Sequence, residues 1–114
     1  MTIRRMKTYT GEQGYVYQYY FVGKRAAEEG TEYIFDVTSD RKTTYAVSVI
    51  LPERLLGDWA AAHGRQLTDA EQYGAVKMRL FQGFDEIEDM LADGRRLVID
   101  SVILESALAR LGVA

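Results

Sequence analysis

The chain contains no cysteine, one proline and one histidine among 114 residues. Without cysteine there is no structural disulfide, no thiol chemistry and no cysteine-ligated zinc, and the composition suits a reducing cytoplasm. No charge of one sign dominates. The formal net charge is −3, which speaks against a general polyanion binder. No long apolar run is present either. The most apolar stretch, Leu97 to Leu111, is too short and too interrupted to span a bilayer, so no membrane association is expected. Met1-Thr-Ile-Arg-Arg-Met-Lys7 has basic residues with no apolar run behind them, so no signal peptide is expected.

What the sequence does have is aromatic strand. Tyr15–Val22, Thr31–Thr38 and Thr43–Leu51 are rich in β-branched and aromatic residues, which suit a pleated, half-buried surface. Alternation puts Tyr33, Phe35 and Val37 on one face, and Tyr45, Val47, Val49 and Leu51 on one face. Both sets meet one core only if Val37 lies opposite Tyr45 and Phe35 opposite Val47. That parity demands an odd-numbered connection around residues 39–42, and a three- or five-residue loop is predicted. Gly23 to Gly30 is expected to join the first two strands. The first strand is apolar on both sides, with Tyr15, Tyr17, Tyr19 and Phe21 opposite Val16, Tyr20 and Val22, and such a strand usually has both faces covered. Residues 1–10 read as a loose arm or an extra strand.

Helices follow. Pro52 is expected in a first helical turn, where a missing N–H costs nothing. Leu55, Leu56 and Trp59 make an apolar stripe that ends at Gly64. Thr68-Asp-Ala-Glu71 predicts a capping box. Tyr73, Val76, Leu80, Phe84, Ile87 and Leu91 then recur at helical spacing. A break is expected near Gly83, with Asp85-Glu-Ile-Glu88 capping a new helix. Leu97–Ile99 is either a short strand before a helix capped by Asp100 or Ser101, or part of one helix from Arg95. The predicted fold is one α+β domain over residues 1–114. An antiparallel meander of three to four strands in the N-terminal half precedes two to four helices packed on one face. Its core comprises Phe35, Val37, Tyr45, Val47, Val49, Leu56, Trp59, Val76, Leu80 and Phe84.

Chemistry is less legible. His63 sits near a helix end, where a structural role suits it. As a general base it would need a nucleophile and an orienting carboxylate that the sequence does not place. Asp85, Asp89 and Asp93 fall at i, i+4 and i+8, a spacing that could offer carboxylates to a divalent cation, although such runs are usually solvated. There is no phosphate-binding loop, dinucleotide fingerprint, calcium loop or nucleophile elbow, and Gly11-x-x-Gly14 reads as a turn. No cofactor and no metal are expected.

Seven of the eight tyrosines lie within the first 45 residues. With Arg25, Arg41, Lys42 and other cations nearby they resemble a stacking platform for single-stranded nucleic acid. Seven cations in that stretch face six acids, so its net charge of only +1 disfavours that reading. The plain structural reading is that the tyrosines fill the sheet–helix core with their hydroxyls at its rim; as a function, a non-enzymatic protein-interaction module is expected, with self-association as one route. Tyr15, Tyr17, Tyr19, Tyr20, Arg25, Arg41 and Lys42 are its candidate binding residues. The alternatives are a nucleic-acid binder using the same residues, or a small enzyme or metal-binding protein using His63 or the acidic cluster.

Overall fold

A computed structural model of the chain describes residues 6–113. Arg4 and Arg5, two of the seven cations counted above, lie outside them. The elements in order are β1 (Lys7–Thr10), β2 (Val16–Ala26), β3 (Gly30–Thr38), β4 (Tyr45–Pro52), α1 (Glu53–His63), α2 (Asp69–Glu86), α3 (Met90–Asp93), β5 (Arg96–Val98) and α4 (Ser101–Arg110). The fold is α+β, with a mostly antiparallel five-stranded sheet in the order β1-β2-β3-β4-β5.

The predicted register holds: Val37 pairs with Tyr45 and Phe35 with Val47. The connection is longer than the expected loop, because residues 38–44 lie beyond that last pair. Asp40 shapes it by accepting from the backbone N–H groups of Lys42 and Thr43, both at 2.8 Å, which lets Arg41 take a φ of 65°. The β2–β3 connection is shorter than expected. Gly23 belongs to β2, at a bulge that leaves Val22 unpaired between Phe21 and Gly23. Ala27 and Gly30 bond each other across Glu28-Glu29, which makes the turn.

Pro52 ends β4 as the N-cap of α1 (φ −64°, ψ 134°), and Glu53 is the first helical residue. Gly64 stops α1 in the left-handed region at φ 72°. The helix α2 does not break at Gly83. A Cβ there would stand 2.9 Å from Leu97 Cδ1, so this glycine lets β5 pack close against an unbroken helix. The break comes after Glu86, and α3 is capped by Asp89 accepting from Ala92 N, not by Asp85. Leu97 falls in a short strand and Asp100 caps α4 through Ile103 N at 2.8 Å, the strand alternative of the two. That strand pairs in parallel with β4, an arrangement no local pattern announced.

All four helices bury their apolar residues in one cluster with the inner face of the sheet. Leu55 and Trp59 of α1, Val76, Leu80 and Phe84 of α2, Met90 of α3, and Leu104 and Leu108 of α4 meet Tyr33, Phe35, Val37, Val47, Val49 and Leu97 there. Leu56 packs partly buried against that cluster. No described helix is long and apolar enough to cross a membrane.

Candidate interaction surfaces

The tyrosines of β2 divide by parity, as alternation requires. Tyr17 and Tyr19 point into the core, 2% and 5% exposed. Tyr17 stacks on Phe84 at 4.2 Å, and Tyr19 meets Phe81 edge-on at 5.5 Å. Helix α2 covers this face, so both residues belong to the core rather than to an outer surface. Tyr15 stands exposed just before the strand, and Tyr20 lies half-buried on the opposite face, across from Asp36. The three basic candidates do not gather. Arg25 is at the far end of β2, paired to Glu32 at 2.8 Å, whereas Arg41 and Lys42 sit in the β3–β4 connection at the other end of the sheet.

The outer face of the sheet carries Val16, Tyr20 and Val22 from β2, Ile34 and Asp36 from β3, Ala46, Ser48 and Ile50 from β4, and Val98 from β5. Among the described residues no helix packs on it. Val16 and Val22 are 46% and 48% exposed and Val98 is 39% exposed, while Ile50 on the same face is buried. One end of the face is polar and internally paired. Ser48 Oγ donates to Glu32 Oε2 at 2.5 Å, Arg25 holds the other carboxylate oxygen, and Arg96 pairs with Glu29. These bonds, Arg25 first and then Ser48, hold the Glu32 carboxyl below its ordinary range.

A concavity of about 540 Å³ runs between α2 and α4, with Met78, Phe81, Val102 and Ile103 among its walls. Tyr9 stacks on Phe81 at 4.3 Å, and its hydroxyl donates to both Asp85 oxygens at 3.0 and 2.9 Å. Burial first, and then Asp85, push the Tyr9 phenol up to about 12. A phenol held neutral to that degree ties β1 to α2 and is a poor base at neutral pH. Asp85 also accepts from Glu12 N, so it is a structural tie rather than a free ligand. Sequence reasoning missed this pair, whose partners stand 76 residues apart.

Because α2 ends at Glu86, Asp85, Asp89 and Asp93 do not share one helical face, which corrects the spacing argument. Among the described residues no group of three or more His, Asp or Glu could hold a metal ion. His63 Nδ1 lies 2.9 Å from Trp59 O and its ring stacks on Trp59 at 4.1 Å, an arrangement that caps α1.

A second concavity, about 600 Å³, opens at the end of the sheet where β2 and β4 begin, among Tyr15, Tyr17, Asp40, Tyr45, Asp89 and Leu91. Compared with family models, curated proteins and solved structures, the chain matches none.

Proposed function

We propose that the chain is a non-enzymatic binding domain that self-associates through the outer face of its sheet. The observation that carries this reading is the one-sided packing. Every described helix serves the inner face, while Val16, Val22 and Val98 remain exposed on the other. A sheet face that no described helix covers, with valines exposed on β2 and β5, is the kind of surface that protein partners cover. Strands ~4.8 Å apart and up to about thirty ångströms long, five abreast, offer on the order of 600 Å². That approaches the roughly 800 Å² per partner of a standard interface.

Charge favours a second copy over a polyanion. The cations flanking the face, Arg25 and Arg96, are already matched by Glu32 and Glu29, so two copies meet without a field of one sign. Arg41 and Lys42 lie at the opposite end and form no continuous basic track with them. Nucleic-acid binding is therefore the weaker reading.

Sedimentation equilibrium over a concentration series tests the proposal. The wild type is expected to dimerise, and Val22→Lys to remain monomeric with an unchanged thermal midpoint, since that side chain fills no core site. A wild type that stays monomeric throughout, or a Val22→Lys protein that assembles like it, defeats the reading. Oligonucleotide binding with a steep salt dependence would replace it with the nucleic-acid alternative.

A further inference from the structure

The cleft at the start of β2 and β4 has a composition unlike the rest of the surface. Asp40 closes it from the β3–β4 connection, and Glu88, Asp89 and Asp93 from the segment around α3. No lysine or arginine side chain lines it. The acids alone would be a solvated patch, but two further groups face the same space. Tyr17 and Tyr45 are 2% and 9% exposed and both line the cleft, yet neither hydroxyl has a hydrogen-bond partner among the described residues. Neither hydroxyl is fully enclosed, and both residues line the cleft. A hydroxyl held this way can accept an N–H bond without giving up a bond inside the protein.

From this we infer that the cleft binds an organic ammonium group, either a free amine or a lysine side chain. The carboxylates would supply the charge, and the hydroxyls of Tyr17 and Tyr45 would accept from the ammonium hydrogens. Tyr15 and Leu91, both exposed at the cleft, suit the methylene stem of such a cation. Asp40 is anionic in its role here. The backbone N–H groups of Thr43 and then Lys42 hold its carboxyl below the ordinary range. Arg95 lies 5.7 Å from the centre of the Tyr45 ring but donates from Nε to the Ala46 carbonyl. A hard divalent ion fits less well, because it wants several anionic oxygens converging within about 2.6 Å, and no such set is present among the described residues.

The test is titration calorimetry with spermidine as the free-amine probe and a lysine peptide with blocked termini as the side-chain probe, each repeated with magnesium chloride. Saturable one-to-one binding of at least one probe is expected. Spermidine alone binding would identify a free polyamine, and peptide binding a partner's lysine. The pair Glu88→Gln and Asp93→Asn, both exposed, should weaken binding by about tenfold or more through lost Coulomb attraction. Tyr45→Phe should weaken it severalfold with no loss in thermal midpoint. Nuclear magnetic resonance shifts on adding the probe should centre on Thr43 and residues 88–93. The inference is overturned if neither probe saturates, if the carboxylate variants bind like wild type, if magnesium displaces the probes at matched concentration, or if the shifts centre elsewhere. It does not depend on self-association, which uses a different face and is read by a different measurement.

Discussion

Tyr33 shows how a residue can be placed well and still left unsatisfied. Alternation along β3 points it inward, where it is 2% exposed and packs near Phe21 and Tyr73. Lys24 reaches that ring, 5.7 Å from its centre, because the bulge after Phe21 shifts the parity of β2 and places Lys24 opposite Tyr33. The Tyr33 hydroxyl, however, is enclosed without a hydrogen-bond partner among the described residues, and burial raises its pKa, with a further push from Asp69. An unpaired buried hydroxyl costs about 1–3 kcal/mol, and phenylalanine keeps the ring. Tyr33→Phe should therefore raise unfolding stability by roughly 1 kcal/mol in urea denaturation. A loss of that size would show that the hydroxyl is bonded in solution, for instance to a buried water. Sequence alone reaches the inward parity; whether a partner comes within 3.5 Å depends on α2 and cannot be read from β3.

Among the elements, α2 is the one whose start local chemistry specifies most completely. Thr68 Oγ1 accepts from Glu71 N at 3.1 Å, and Glu71 Oε1 accepts from Thr68 N at 2.9 Å. Arg65 grips both Glu71 oxygens at 2.8 and 2.9 Å and, ahead of the Thr68 N–H, holds that carboxyl down at about 2. Thr68→Ala should lose about 0.5–2 kcal/mol, while Thr68→Ser and Thr68→Asp keep the acceptor and most of the stability. Equal losses from all three would rule out capping as the cause. The far end of α2 was less legible. Gly83 looks like a breaker in sequence, but the space beside it belongs to Leu97 of β5, and only packing reveals that.

For the molecule as a whole, the concentration of tyrosine in the core makes alkaline pH a destabilising variable. Tyr9, Tyr17, Tyr19, Tyr33, Tyr45 and Tyr73 all have a raised phenol pKa, with burial as the first cause, and Tyr9 and Tyr45 reach about 12. A phenol whose folded pKa exceeds its unfolded value of about 10 contributes its stability below pH 10 and loses it as pH rises toward 12. The thermal midpoint should thus fall steeply between pH 10 and 12, with tyrosinate absorbance rising together with loss of structure. Tyr9→Phe and Tyr45→Phe should flatten that fall. Ordinary tyrosine titration near pH 10 in a protein that stays folded would contradict this account.

Much of this protein follows from residues close to one another in the chain. Period-two alternation was enough for the Val37–Tyr45 register, because a slip by one residue would turn every apolar side chain of the strand to the wrong face. Thr68 and Asp100 mark helix starts because a capping oxygen needs only the N–H three residues on. The aromatic identity of β2 was equally plain, but not which of its faces the helices cover, since both read as apolar. Only the tertiary structure sends Tyr17 and Tyr19 under α2, pairs β5 in parallel with β4, and joins Tyr9 to Asp85. Those contacts join segments far apart in sequence, so they are decided by the route the whole chain takes in burying one core rather than by any local period.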